Sequence, residues 1–181
     1  MKKVPLFFLV AVLAASCKNN NEAATSSTSG QDSTLAALSW KDSMIQKNEA
    51  LVLSDFKAFN AGDLDGAFKG SAQDYVDYGD GSGNPVRGLD SIKAALKAYE
   101  AAFPDNRSSN YVVVGDLHHV ALFADWTGTF TNAFMGLKPT HKSYHYRDVD
   151  LFTFNDSGQI TEHRGIMPFG QVLMQLGVRV K

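Results

Sequence analysis

The period of the apolar residues changes along this chain, and that change limits the fold more than any other feature. Between Ser39 and Pro104 large apolar side chains recur mostly every three or four residues, the spacing of one helix face; beyond Pro104 they alternate, the spacing of one strand face. Ser39 followed by Asp42 resembles a capping box, and Ile45, Val52, Phe56 and Phe59 fall on one stripe ahead of Gly62, which predicts a helix over 39–61. Asp63 can cap a second short helix carrying Leu64, Ala67 and Phe68. A short strand is expected over 74–78, and the Gly- and Pro-rich run from Gly79 to Pro85 is a loop. A third helix starts at Asp90 or Ser91, presents Ile92, Leu96, Tyr99 and Phe103, and ends at Pro104. Strands are predicted over 110–114, 120–130, 143–154 and 159–167, with Asn155-Asp156-Ser157-Gly158 as a tight connection and a closing helix over 169–176. Three helices followed by an antiparallel meander make an α+β fold, its helices packed on one face of a curved sheet.

The N-terminal stretch does not belong to that domain. Lys2 and Lys3 precede an apolar run from Leu6 to Leu13, and Ala14-Ala15-Ser16 supplies small residues before Cys17. That order is the one found in secretory signals, and the run is too short to span a bilayer comfortably. Cys17 is the only cysteine, so no intramolecular disulfide is possible. Leu13-Ala14-Ala15-Ser16-Cys17 resembles a bacterial lipobox, with Ala14 where leucine is usual; the resemblance implies a cysteine that becomes the acylated first residue. The expected organisation is a signal peptide over 1–16, lipidated Cys17 and a flexible tether over 17–38, and one domain over 39–181. The tether follows from the run of Asn, Ser, Thr, Ala and Gly after Lys18, which offers too little apolar surface to offset the entropy of ordering it. The protein is therefore expected to be exported and held on a bacterial membrane, facing the periplasm or the exterior.

The formal net charge is −2, and loss of Lys2 and Lys3 with the signal would make the mature chain about −4. No basic run or face is present, which argues against nucleic-acid binding. His118 and His119 are adjacent and point to opposite faces of a strand, and with His141 and His145 they form no metal-ligand spacing. No metal or other cofactor is expected.

Five segments carry a resemblance to a known family. Phe59-Asn60-Ala61-Gly62-Asp63-Leu64-Asp65, Ala102-Phe103-Pro104-Asp105, Phe134-Met135-Gly136-Leu137-Lys138-Pro139-Thr140, Val149-Asp150-Leu151-Phe152-Thr153-Phe154, and Gly158-Gln159-Ile160-Thr161-Glu162-His163 with Gln175-Leu176-Gly177 resemble, in this order, motifs of SnoaL-like polyketide and ester cyclases. These belong to the nuclear-transport-factor-two-like superfamily. The resemblance covers about 43–177 and implies a cone-shaped barrel in which a curved, mainly antiparallel sheet wraps around N-terminal helices. It also implies a pocket for a small apolar ligand and pairing of two copies through the outer face of the sheet, a homodimer.

The resemblance implies an acid/base site on the last two long strands, but one member is missing. His163 matches the family histidine, whereas the family's catalytic aspartate, two residues on, is Gly165 here. Asp148 and Asp150 share a strand face, which matching to the family turns inward toward His163, so they are candidate compensating acids. A carboxylate beside an imidazole raises its pKa and fixes its tautomer. The same residues can equally form a buried structural pair, or the carboxylates can face solvent. Asp77 is a candidate polar pocket group or a strand-end turn former, and Tyr75, Trp126, Phe134, Tyr146 and Met167 are candidate lining or plain core. Two functions follow: a cofactor-free acid/base catalyst that enolises, cyclises or isomerises a small carbonyl or ester compound, or a non-catalytic ligand- or partner-binding lipoprotein that kept the cone and lost the chemistry.

Overall fold

The computed structural model describes residues 23–178, with side chains from residue 30 onward. The signal-like segment and Cys17 lie outside the described residues. The chain divides between Leu38 and Ser39 into two units. Helix α1 (Ala23–Asn60) begins well before Ser39, which is therefore an interior residue and not a cap. The stretch expected as tether contains Ala23, Ala24, Leu35, Ala36, Ala37 and Leu38, strong helix formers that the reading of its polar residues underweighted. No helix among the described residues is long and apolar enough to cross a membrane.

The unit from Ser39 onward holds the remaining elements: α2 (Leu64–Ala67), β1 (Ser71–Asp77), β2 (Val86–Arg87), α3 (Leu89–Ala102), β3 (Arg107–Gly115), β4 (His119–Thr129), β5 (Ser143–Phe154), β6 (Ile160–Gly165) and α4 (Phe169–Gln175). The two-residue strand β2 has no period and was not visible in the sequence. The six strands form one curved, unclosed sheet in the order β2-β1-β6-β5-β4-β3. The run β3-β4-β5-β6 is the expected meander, while β1 lies parallel to β6. A register shift between Ser109 and Val112, with Asn110 at φ 53°, bends β3 against β4.

Several motif residues serve this architecture directly. Asn60, at the end of α1, donates from Nδ2 to the Ser108 carbonyl at 2.7 Å and accepts from the Ser108 N–H at 2.9 Å, fastening the helix to β3. Gly62 takes φ 75°, the left-handed conformation that ends a helix. Asp63 then caps α2, accepting from the Gly66 N–H at 2.8 Å. Asp105 receives the Thr129 N–H and hydroxyl, both at 2.7 Å, tying the exit of α3 to the end of β4. Met135 and Gly136, at φ 49° and 77°, form the turn that lets Phe134 and Leu137 pair.

Two apolar clusters fill the unit. One joins Val52 and Phe56 of α1 and Ile92 of α3 to Tyr75, Val120, Leu122, Phe152 and Ile160 of the sheet. The second gathers Ala102, Phe103, Phe130, Tyr144, Val172 and Leu176. Leu122 is fully buried opposite Asp150 in the β4–β5 register, so it supports the strand that carries the site. Leu122→Ala is expected to lower the unfolding free energy by about 2–5 kcal/mol, measured by urea unfolding.

Candidate functional site

His163 lies on β6, between the strands that bear the acids. In the parallel β1–β6 pairing Asp77 is opposite His163, and in the antiparallel β5–β6 pairing Phe152 is opposite His163, two residues from Asp150 on the same face. The imidazole therefore has a carboxylate on either side. Its Nδ1 is 2.9 Å from Asp77 Oδ1 and its Nε2 is 2.9 Å from Asp150 Oδ1. Carboxylates only accept, so both ring nitrogens must donate and the ring is an imidazolium. The Phe152 ring, with its centroid 5.0 Å away, covers it.

The electrostatics agree with that protonation. Burial alone would lower the His163 pKa, but the hydrogen bonds and charges of Asp150 and Asp77 outweigh it and hold the group at about 10. For Asp77, burial raises the pKa, while the His163 hydrogen bond and charge and the Gly79 N–H bring it below the ordinary carboxylate range. The His163 side chain is 19 % exposed and that of Asp150 only 9 %. Asp150 Oδ2 is buried with no hydrogen-bond partner among the described residues.

The array forms one wall of a cavity of about 120 Å³. The remaining wall is mostly apolar: Phe56, Phe59, Phe68, Tyr75, Leu96 and Phe152. Of the residues expected at the site, the structure brings together Tyr75, Asp77, Asp150 and His163. Asp148 does not line this cavity. Its Oδ1 accepts the N–H groups of Val149, Ile166 and Met167 at 2.7, 3.2 and 2.7 Å, which anchors the chain as it leaves β6. Burial and the charge of Asp150 nevertheless raise its pKa against those three donors. Trp126, Phe134 and Tyr146 also lie outside the cavity lining and pack against the second apolar cluster. Met167 sits beyond β6, its N–H held by Asp148. Gly165 has room: a Cβ built there would meet Asp148 Oδ2 at 3.5 Å, an ordinary contact, so an acid at this position would stand beside another acid.

Asp55 of α1 is a cavity residue that the sequence reading missed. Its spacing from Val52 and Phe59 put it on the buried stripe of the helix, and a carboxylate there is a visible break in the pattern. Burial pushes its pKa up to about 7. Among the described residues, no group of three His, Cys, Asp or Glu side chains is arranged to hold a metal ion.

The family model of SnoaL-like polyketide cyclases matches residues 50–176. The chain belongs to that family. Among solved structures, AclR of Streptomyces galilaeus, assigned as a hydroxylase, is 28% identical over 74% of this chain and 97% of its own, with a TM-score of 0.62. IdmH of Streptomyces antibioticus, assigned as a polyketide cyclase, is 27% identical over 72% of this chain and 99% of its own, with a TM-score of 0.60. A SnoaL-like polyketide cyclase assigned in Jannaschia sp. CCS1 shares the fold at 23% identity and a TM-score of 0.68, over 76% of this chain and 96% of its own. No match is found among curated proteins. Membership of this family is consistent with a small-molecule pocket, and the different activities assigned to these relatives leave the chemistry to the residues of the site.

The raised His163 pKa has a definite consequence for stability. A group whose folded pKa lies above its unfolded value of 6.5 contributes stability that is complete below pH 6.5 and disappears as the pH rises through about 10. Chemical unfolding from pH 6 to 10.5 should show a decline in that interval for the parent, and His163→Gln should lack this component. Parallel curves would contradict the paired imidazolium.

Proposed function

We propose that this protein is an exported lipoprotein whose cavity performs cofactor-free acid/base catalysis on a small, largely apolar carbonyl or ester compound. The observation that carries the reading is the Asp77–His163–Asp150 array at the wall of an apolar cavity, with Asp150 Oδ2 buried and unpaired. Leaving a buried carboxylate oxygen without a donor costs roughly 1–3 kcal/mol or more, so its retention suits a site that supplies the missing partner with its ligand. The His163 Nε2–H donates to Asp150 Oδ1 at 2.9 Å and leaves Oδ2 for the ligand. Asp150 thus accepts a hydrogen bond or a proton from the ligand, and His163 holds it in place while compensating its charge. Enolisation, cyclisation and isomerisation all fit a site that moves protons and holds charge.

A second reading, ligand binding without turnover, is favoured by one observation: Gly165 stands where the family's catalytic aspartate is expected. The two readings separate by experiment. If the protein is an enzyme, Asp150→Asn and His163→Gln each lower kcat/KM by about 10²–10⁴-fold on any carbonyl or ester the parent turns over, with thermal unfolding confirming a folded variant. Ligand retention by both variants, with no turnover by the parent, would instead establish a binding protein. The half-exposed Val112 and Val114 on the outer face of β3 support a homodimer through that face.

Membrane attachment is a separate part of the proposal and rests on the Leu13–Cys17 segment. Metabolic labelling with palmitate should mark the parent in a bacterial host. Cys17→Ser should lose the label and move from the membrane to the soluble fraction. Label retained by that variant would remove Cys17 from the proposal.

A further inference from the structure

The cavity has a second set of polar groups, on α1 and β1, that the Asp77–His163–Asp150 array does not use. Asp55 lines the cavity from α1 and has no hydrogen-bond or ion-pair partner among the described residues. Tyr75 lines it from β1, is only 3 % exposed, and has a hydroxyl with no hydrogen-bond partner among them. Burial, followed by the charges of Asp77, Asp150 and Asp55, raises the Tyr75 pKa, so the hydroxyl keeps its proton. With Asp150, whose side chain is more than nine-tenths buried and whose Oδ2 has no partner among the described residues, three elements each bring a polar side chain to the lining of one largely apolar space. Buried polar groups in folded proteins are nearly always paired, so the unpaired Asp150 Oδ2, with Asp55 and Tyr75 on the same cavity wall, marks the place of a bound molecule.

Their chemistry differs in a way that assigns roles. His163 donates from both nitrogens and has no lone pair with which to take a proton. Asp150 Oδ1 is already taken by the His163 Nε2–H. Asp55 has no cation beside it. We propose that Asp55 is the proton-transferring group of this cavity and that Tyr75 Oη donates to the oxygen on which negative charge collects. The ligand class that follows is a small, flat, uncharged carbon acid, a ring carbonyl or its enol, whose own hydroxyl or N–H meets Asp150 Oδ2. This rests on the acid/base reading of the same site and adds to it the base, the oxygen donor and the ligand class.

The step balances without an oxidant or a cofactor. The Asp55 carboxylate takes a proton from the carbon beside the carbonyl, the C–H electron pair becomes the C=C bond of an enolate, and the carbonyl π pair moves to the oxygen, where the Tyr75 O–H donates. Return of the proton from Asp55 to that carbon or to one conjugated with it completes an exchange or an isomerisation. A carboxyl that titrates near 7 suits both halves, because it gives up and takes back a proton near neutral pH. The cavity's volume of about 120 Å³ is close to the roughly 150 Å³ engineered cavity that takes up benzene, which limits the reacting part to about one ring.

The ring opening of 5-nitrobenzisoxazole tests this with the full chain and no knowledge of the natural ligand. A base removes the ring C–H proton, the N–O bond breaks, and its electron pair becomes a coloured phenolate. Asp55→Asn is expected to lower the rate about 100-fold, and Tyr75→Phe at least about tenfold. Asp55→Glu should restore part of the rate. The titratable groups that share the cavity with Asp55 are Tyr75 and Asp77 from β1, Asp150 from β5 and His163 from β6. Against them, the parent's rate should climb in a single step near pH 7, a readout that also serves if Asp55→Asn fails to fold. Rates within threefold of the parent in Asp55→Asn, or a flat profile across pH 6–8, would overturn the assignment. If activity survives Asp55→Asn but disappears in Asp150→Asn, only the role of Asp55 falls and the acid/base reading stands. A parent no faster than free acetate at the same concentration overturns both.

Discussion

An imidazolium held between two carboxylates from different strands is the interaction on which the rest of this site depends. It needs β6 to lie between β1 and β5, because only a central strand can place one ring within 2.9 Å of acids on both of its neighbours. The parallel β1–β6 pairing is therefore part of the chemistry as well as the architecture. With all three charges in place, the site carries a net charge of −1 inside an apolar shell. Removing His163 would leave two buried carboxylates without their counterion, the costliest kind of change to a polar core.

The same ring settles a question of role. A histidine beside a carboxylate invites comparison with general-base arrangements, in which the second nitrogen is free to accept a proton. Here the second nitrogen is also committed to an acid. His163 works as a fixed cation that orients Asp150 and neutralises part of its charge. In the proposed acid/base reaction, proton movement falls to the carboxyl groups, so Asp150 Oδ2 and Asp55 matter more there than the short, satisfied bonds do.

How much of this could be read from the sequence follows from which signals are local. The change of period located the sheet, and β5 appears with its predicted bounds, Ser143–Phe154. The family-like segments predicted the fold because residues such as Asn60, Asp105 and Gly136 do structural work: they cap, tie and turn. Asp150 and His163 are 13 residues apart across a hairpin, so strand alternation was enough to suggest their meeting. Asp77 is 86 residues from His163 and reaches it through a parallel pairing that no local pattern announces. Asp148 shares the strand face of Asp150, yet three backbone N–H groups claim it, a matter of how the chain turns after Gly165. Asp55 carries no motif: it shares a helix face with Val52 and Phe59, and only the packing of α1 against the sheet gives it a cavity to line.

The surplus of negative charge in the cavity also sorts the molecules that can enter it. Fatty acids, phosphate esters and other anions would have to shed their water beside three aspartates and a single cation, with α1 supplying no Lys or Arg to the lining. The lining thus disfavours anionic ligands. What remains admissible is the neutral fraction of small molecules, those that cross an apolar boundary without shedding a charge.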